Sequence, residues 1–343
     1  MTEVIWKCPS NIALVKYWGK KGNQLPANPS ISFTLNECFT KTSIKFKQKN
    51  ISSKVEFSFL FEGKSKPEFE PKLKNFFEKT EYLFPFINEY FLEINSENSF
   101  PHSSGIASSA SAFGALALCI CSIENELGIL LSKNEFFKKA SIAARLGSGS
   151  ACRSVYAPMA IWGKTKLFDK SNDGFAVNYD LINPVFKNYC DTILVVKKGE
   201  KEVSSTLGHS LLINHPFAEA RFAEAEKNLE LLLIAFINGD LELFNKITES
   251  EALMLHALMM TSSPYFMLMK PNTLNIINAV WNYRQTAKLN MTITLDAGAN
   301  VHLLYPDIQK ELVRDFIKNE LSQYCYNNYF INDNVGLGPL KLK

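Results

Sequence analysis

Residues 101–119 read "PHSSGIASSASAFGALALC", a run of small and hydroxyl-bearing residues that leads directly into an apolar segment. The apolar continuation is typical of a buried helix, so the serines and glycine lie where a helix begins. The first amide hydrogens of a helix have no partner within it, and the helix dipole adds positive potential at that end. A loop of small residues there favours binding of phosphate or another anion.

The order of residues in this stretch excludes two common phosphate loops. It matches neither the G-x-x-x-x-G-K-[ST] pattern of a Walker A loop nor the G-x-G-x-x-G pattern of dinucleotide-binding folds. Serines before a helix also serve as caps and small packing residues. On residue types alone, this structural interpretation stays open beside anion binding.

Strand patterns dominate the first 60 residues, and helical patterns dominate after about residue 205. The segments "EVIWKC", "KTSIKFK" and "KVEFSFLF" alternate with period two. Residues 62–80 are predicted to form a solvated loop that feeds a helix. Further helices are predicted over 111–127, from Ser132 to Gly147, and over 216–239, 240–260, 271–288 and 307–323, with strands over 155–163, 191–198, 290–298 and 301–306. Because the two types do not alternate strictly, the pattern indicates an α+β fold.

Length, charge and cysteine content limit the classes of protein to which this chain can belong. A chain of 343 residues favours one large domain or two joined domains. Its 37 Lys and Arg against 34 Asp and Glu give a charge of +3, too small for a dedicated nucleic-acid binder. Seven cysteines, with no C-x-x-C pair, predict reduced thiols in a cytosol. The apolar runs fall short of the roughly 20 residues that span a bilayer. We expect a cytoplasmic protein that binds neither nucleic acid nor membrane.

Several further motifs carry a family resemblance. They are "NIALVKYWGK" (11–20), "LPANPSIS" (25–32), "RLGSGSACRS" (145–154), "SSTLGH" (204–209), "LDAGANV" (295–301) and "GLGP" (336–339). Together with P-x-S-S-G-I-A-S-S-A, their order and spacing resemble the diphosphomevalonate decarboxylase family. That family lies within the superfamily of galactokinase, homoserine kinase, mevalonate kinase and phosphomevalonate kinase. The resemblance covers nearly the whole chain, and K-Y-W-G-K is its most specific part.

The resemblance implies a fold and a reaction. The fold would be the two-lobed fold of small-molecule kinases, with a ribosomal-protein-S5-like lobe over 1–190 and a ferredoxin-like, helix-rich lobe over 191–343. The reaction uses ATP and Mg²⁺ to phosphorylate the tertiary 3-hydroxyl of mevalonate 5-diphosphate. Loss of that phosphate and of carbon dioxide then gives isopentenyl diphosphate. The family often forms homodimers, so a homodimer is expected.

Three residues are implied to be catalytic. Asp296 would accept or orient the proton of the hindered hydroxyl, and Lys16 would keep that carboxylate ionised and offset developing negative charge. Asn11 would contact the substrate carboxylate. Read without the family, Asp296 is a turn or cap residue, Lys16 packs its stem while its head reaches solvent, and Asn11 forms an Asx turn.

The resemblance also implies binding residues. Those for the substrate are Tyr17, Lys20, Asn28, Ser148, Gly149, Ser150, Arg153 and, more weakly, Ser204, with Ser205 beside it. Those for the nucleotide are Ser103, Ser104, Gly105, Ala107, Ser108 and Ser109, with Ser108 also a metal ligand. Arg153 carries the planar fork suited to phosphate oxygens. The variable region 50–75 is a candidate wall of the adenine pocket.

The chain departs from the family pattern in two places. Ala299 stands where the family usually has proline after D-A-G, and His102-Ser103-Ser104 stands where Thr-Ala-Ala is common. Three alternatives to the decarboxylase remain: a mevalonate-type kinase that only phosphorylates, a phosphomevalonate decarboxylase, and a catalytically silent ligand sensor. Retention of both Lys16 and Asp296 favours the decarboxylase.

Overall fold

Two long antiparallel strands form the centre of the first sheet. β1 (Thr2–Val15) pairs with β4 (Ser30–Gln48) along most of its length, with register shifts near Pro9 and Ala13. The computed structural model describes residues 2–22, 24–50, 54–101, 106–199 and 204–343. Within them the first sheet runs in the order β14 (Leu340–Lys341), β1, β4, β7 (Tyr90–Asn98), β5 (Glu56–Phe61) and β6 (Lys64–Ser65), with β8 (Met159–Trp162) joined to β4 and β9 (Val177–Tyr179) joined to β8. The predicted strand opening is therefore present.

The elements have the following bounds. The remaining strands are β2 (Lys20–Lys21), β3 (Leu25–Pro26), β5 (Glu56–Phe61), β6 (Lys64–Ser65), β7 (Tyr90–Asn98), β8 (Met159–Trp162), β9 (Val177–Tyr179), β10 (Cys190–Leu194), β11 (Thr292–Thr294), β12 (Val301–Tyr305), β13 (Phe330–Asn334) and β14 (Leu340–Lys341). The helices are α1 (Glu70–Thr80), α2 (Ser108–Glu126), α3 (Lys133–Gly147), α4 (Ser205–Ser210), α5 (Ala218–Asn238), α6 (Leu241–Met260), α7 (Pro271–Ala287) and α8 (Lys310–Phe316).

Helix α2 lies in the core because its sequence is apolar on nearly every side. Its alanines, leucines and isoleucines between 115 and 123 are buried against the first sheet. This burial fixes the serine-rich N-terminus of α2 at one end of the sheet. The helix begins at Ser108, three residues before the predicted start.

The second sheet carries the other half of the chain. It has the order β11-β12-β10-β13, and all its pairings are antiparallel. Local signals set the helices around it: Asp240 accepts a hydrogen bond from the Leu243 amide at 2.9 Å to cap α6, and Gly239 ends α5 with φ of +73°. The capping box at Ser132 and Glu135 that begins α3 is also present.

The α+β prediction is confirmed, but one predicted helix differs. Residues 307–323 form a 3₁₀ turn, the short helix α8, a π-helical turn over Ile317–Leu321 and a second 3₁₀ turn. Periodicity of apolar residues does not distinguish among these helix types, because each piece is only one or two turns long and their different numbers of residues per turn have little length over which to diverge. Strand β14 returns to pair with β1, so the last residues rejoin the first sheet. The boundary at 190/191 stays a prediction.

All seven cysteines are buried and free of disulfides. Among the described residues, no helix is both long and apolar enough to cross a membrane.

Candidate active site

A cavity of about 870 Å³ opens between the end of β1, the turn after α3, helix α1 and the turn after β11. Its charged lining is strongly unbalanced. It contains the cations Lys16, Lys20, Lys72, Lys79, Arg145 and Arg153 and, among the described residues, the single carboxylate of Asp296. A cavity with this lining attracts a polyanion, because cations outnumber carboxylates among the described residues that line it.

The structure brings Lys16 and Asp296 together, although 280 positions separate them. The Lys16 Nζ atom lies 3.3 Å from Asp296 Oδ1, and the side chains are 1% and 26% exposed. Burial lowers the pKa of Lys16, while the Asp296 carboxylate acts in the opposite direction. Asp296 faces the cavity from a tight turn in which the Gly298 amide donates to the Asp296 carbonyl at 2.7 Å. This geometry joins a carboxylate and an ammonium at one wall of the cavity.

Two neutral histidines support this wall. His256 Nε2 lies 3.2 Å from the Asp296 carbonyl oxygen, and burial lowers the pKa of His256 to about 4. The His209 Nδ1 atom accepts the Gly19 amide at 3.0 Å, and burial lowers its pKa to about 3. Both side chains therefore act as uncharged hydrogen-bonding groups near neutral pH.

Arg153 is buried without an acidic partner among the described residues. Its Nη1 donates to Ser30 Oγ at 2.6 Å, and its Nε donates to Ser32 Oγ at 3.1 Å and to Asn11 Oδ1 at 3.4 Å. Burial lowers the pKa of Arg153. A buried guanidinium held only by neutral oxygens favours an incoming anion. Asn11 lies beside it and donates to Ser154 Oγ at 2.8 Å.

Tyr17 presents a buried hydroxyl with no hydrogen-bond partner in the described part of the chain. The ring lies between Trp162 and His209, at centroid distances of 4.5 Å and 4.4 Å. A Cβ atom at Gly149 would lie 2.8 Å from this hydroxyl, so only glycine fits beside it. The Tyr17 hydroxyl is thus a donor held ready for a ligand oxygen.

The serine-rich turn meets the glycine-serine turn at the cavity. Ser109 Oγ lies 3.2 Å from Ser148 Oγ, and Ser150 also lines the cavity. Ala107 precedes α2 in the left-handed region, with φ of +42°. Ser103, Ser104 and Gly105 lie outside the described residues.

A second, smaller cavity of about 120 Å³ adjoins the first. Phe59, Phe61 and Phe69 form much of its wall, and Ser108 lies at its edge. Ser109, Lys72 and Phe113 line both cavities, so the apolar space continues directly from the start of α2.

Some predicted residues occupy less direct positions. Asn28 is not part of the cavity lining; it is buried, and its Nδ2 donates to the Lys16 carbonyl at 3.0 Å. Ser204 lines the cavity, but its hydroxyl also caps α4 by accepting the Leu207 amide at 3.2 Å. Lys20 lies partly buried at the cavity, and burial together with nearby Lys79 lowers its pKa.

Sequence reasoning missed one whole wall of the site. Helix α1 contributes Lys72, Asn75 and Lys79, followed by Tyr82. The interpretation of 62–80 as a solvated loop gave these residues no role. Their spacing of i, i+3 and i+7 places the first three on one helical face, and this was the available signal.

Comparison with known proteins shows that most of this chain is similar to the domains of one family. Residues 8–175 match the diphosphomevalonate decarboxylase-like N-terminal domain, and residues 192–335 match the mevalonate 5-diphosphate decarboxylase C-terminal domain. The diphosphomevalonate decarboxylase of Saccharomyces cerevisiae is 30% identical over 313 residues, which cover 87% of this chain and 76% of that protein.

Solved structures are similar over almost the full length. The mevalonate diphosphate decarboxylase of Staphylococcus aureus superposes with a TM-score of 0.84 at 28% identity, covering 99% of this chain and 98% of the other. MDDEF, solved in complex with MVAPP, AMPPCP and magnesium, gives a TM-score of 0.84 at 28% identity over 99% of each chain.

Proposed function

Since this chain belongs to the diphosphomevalonate decarboxylase family, we propose that it catalyses the ATP-dependent decarboxylation of mevalonate 5-diphosphate, with Asp296 and Lys16 at the reacting hydroxyl. The family resemblance predicted from the motifs is confirmed. The observation that carries the assignment of roles is the contact of buried Lys16 with partly exposed Asp296 at the wall of a cavity lined by six cations. The products are isopentenyl diphosphate, ADP, phosphate and carbon dioxide.

Phosphorylation of a tertiary alcohol needs a group that receives or orients its proton. Asp296 faces the cavity and is partly exposed, so its carboxylate can meet the 3-hydroxyl beside the Lys16 ammonium. The Lys16 ammonium offsets negative charge as the phosphoryl group arrives and as phosphate leaves. Asn11 lies beside Arg153 on the same wall and orients the substrate carboxylate.

The diphosphate fits the cation-rich part of the cavity around Arg153 and Tyr17. Arg153 and the Tyr17 hydroxyl supply buried donors that have no acidic partner among the described residues, and Lys20 adds an ammonium. Ser148, Ser150 and the open backbone at Gly149 complete this subsite. Helix α1 adds Lys72 and Lys79, which increases the positive charge at the mouth of the cavity.

The nucleotide fits across the two cavities. Its phosphates lie at the start of α2, near Ala107, Ser108 and Ser109, and the smaller cavity receives the purine against phenylalanine rings. Among the described residues, no three acidic, histidine or cysteine side chains cluster as a metal cage. This suits Mg²⁺, which neutralises phosphate charge while bound mainly to phosphate oxygens and water, with the Ser108 hydroxyl as its candidate protein ligand.

Two other activities of the same fold remain as alternatives: phosphorylation without decarboxylation, and decarboxylation of the monophosphate. Retention of the Lys16 and Asp296 pair in contact favours the full reaction over a kinase or a silent sensor. The excess of cations over carboxylates favours a diphosphate substrate over a monophosphate. The proposal also includes a cytoplasmic location and assembly as a homodimer.

Product stoichiometry tests the proposed function. Purified protein with ATP, Mg²⁺ and mevalonate 5-diphosphate should release inorganic phosphate and carbon dioxide in equal amounts. Accumulation of a stable 3-phosphorylated product would indicate a kinase. Faster turnover of mevalonate 5-phosphate than of the diphosphate would indicate a phosphomevalonate decarboxylase.

Filling the smaller cavity should weaken ATP binding selectively. Ala112 lies on α2 and lines this cavity, whose volume of about 120 Å³ a phenyl ring would largely occupy. We expect Ala112→Phe to raise the KM for ATP about tenfold or more, while the KM for mevalonate 5-diphosphate changes less than about threefold, because the substituted ring competes only with the purine. Initial rates with each substrate varied in turn measure both constants. An effect on the diphosphate KM alone would place the purine elsewhere.

A further inference from the structure

The peptide groups of Lys16 lie just beyond the end of a strand. Strand β1 ends at Val15, which pairs with Ile31 of β4. This is the final residue pair between the two strands at that end of β1. The backbone hydrogen bonds between β1 and β4 therefore do not include the amide and carbonyl of Lys16. Side chains from distant parts of the chain hold both groups instead.

Two of these side chains form a buried ion pair between α5 and α6. Glu251 Oε2 accepts the Lys16 amide at 2.9 Å and the Arg221 Nη2 at 2.6 Å. Arg221 Nη2 also donates to the Lys16 carbonyl at 3.3 Å. The side chains of Arg221 and Glu251 are 2% and 0% exposed. One ion pair thus holds the amide and the carbonyl of one residue.

Two asparagines complete the arrangement. Asn228 Nδ2 donates to Glu251 Oε1 at 2.7 Å, and Asn28 Nδ2 donates to the Lys16 carbonyl at 3.0 Å. Both are buried. The amide and the carbonyl of Lys16 are therefore both satisfied by buried side chains, although Arg221 Nε and Asn28 Oδ1 have no hydrogen-bond partner among the described residues.

We propose that Arg221 and Glu251 are positioning residues that fix the Lys16 backbone so that its ammonium reaches Asp296. This inference rests on the catalytic role proposed above for Lys16. A lysine ammonium sits at the end of four methylene groups, so its position depends on where its Cα is held. Apolar residues can stabilise a core as well as a buried ion pair does. The presence of an ion pair that binds the backbone of one residue is therefore explained best by the geometry that it imposes on that residue.

Glu251 also acts on the charge of Lys16. Among the groups that face this ammonium, Asp296 and Glu251 raise the pKa of Lys16, and Arg153 lowers it further below its usual range. Asp191, His256 and Arg221 also lie in its surroundings. Removing the Glu251 charge should therefore lower the pKa of Lys16. The loss of rate that accompanies deprotonation of Lys16 at alkaline pH should then begin at a lower pH.

Helix α6 provides a matched control two residues away. Glu249 also forms an ion pair, with Arg284 Nη1 at 2.7 Å, and accepts from Trp281 Nε1 at 3.0 Å. Among the described residues, none of its contacts involves Lys16 or the cavity around Asp296. Glu249→Gln therefore removes a partly buried ion pair from the same helix without touching the proposed device.

The test compares Glu251→Gln with Glu249→Gln in the full chain. We expect Glu251→Gln to lower kcat about 30-fold or more, to change the KM of either substrate less than about threefold, and to move the alkaline limb of the kcat profile to lower pH. Glu249→Gln should keep kcat within about threefold and leave the profile unchanged, although both variants lower Tm. Equal effects on kcat, or a Glu251→Gln effect confined to KM, would overturn the proposal.

Two further measurements separate this proposal from the proposed function. A crystal structure of Glu251→Gln should show the Lys16 ammonium displaced from Asp296, and an unchanged distance would contradict the positioning role whatever reaction the protein catalyses. If Glu251→Gln does not fold, Asn28→Ala removes one donor to the Lys16 carbonyl and leaves the ion pair intact. It should lower kcat severalfold at unchanged KM, and an unchanged kcat would count against the device.

Discussion

Asp296→Asn is expected to lower kcat by about 1,000-fold or more, which corresponds to about 4 kcal/mol of transition-state stabilisation. Asparagine preserves the shape of the side chain but cannot accept the proton of the 3-hydroxyl. Binding of a fluorescent ATP analogue should remain near normal, because the proposed nucleotide site lies at the start of α2 and in the adjoining cavity. A loss of kcat below about tenfold would contradict the role of Asp296 as base.

A double-mutant cycle tests whether Lys16 and Asp296 act as one unit. Their side chains form a hydrogen-bonded ion pair at 3.3 Å, so removing either one disables the same arrangement. Residues that act together show strongly non-additive effects, and Lys16→Met with Asp296→Asn should therefore cost about as much as either change alone. Additive losses in kcat would show that the two groups serve separate steps.

The sequence was sufficient to predict that Lys16 and Asp296 lie together, as the structure shows. The motifs around Lys16, Arg153 and Asp296 were recognisable by their order along the chain, and the structure brings all three to one cavity. Helix boundaries with strong local signals, such as Asp240 and Gly239, were also predictable, because caps act within a few residues. The roles of Lys16, Arg153 and Asp296 in the reaction remain proposals.

Features that depend on packing between distant elements were not predictable in the same way. Glu251 and Arg221 lie within helical patterns where a charged residue normally indicates a solvated face, and only the packing of α5 and α6 against the end of β1 buries them. Helix α1 was missed because its lysines and glutamates are typical of solvent-exposed sequence. The hydrogen bond from Asn28 to the Lys16 carbonyl was not predicted either, since a motif shows that a residue is near the site but not which group it contacts. A substrate contact of Asn28 stays a prediction.

Arg153→Met is expected to raise the KM for mevalonate 5-diphosphate about 100-fold, or about 2.7 kcal/mol, with a much smaller change in the KM for ATP. Methionine keeps most of the buried volume but removes the charge that Ser30, Ser32 and Asn11 orient towards the cavity. Inhibition by inorganic diphosphate, measured against the same variant, should weaken in parallel, because it reports the anion subsite without the reaction.

Two controls separate loss of the anion subsite from loss of stability. Arg284→Met removes another guanidinium that is largely buried, yet it lies outside the cavity and pairs with Glu249, so it should lower Tm without changing either KM. Arg153→Lys keeps a positive charge but not the planar fork, and should give an intermediate KM for mevalonate 5-diphosphate. If Arg153→Met alters only Tm, the substrate diphosphate binds at another part of the cavity, and the lysines of α1 become the next residues to test.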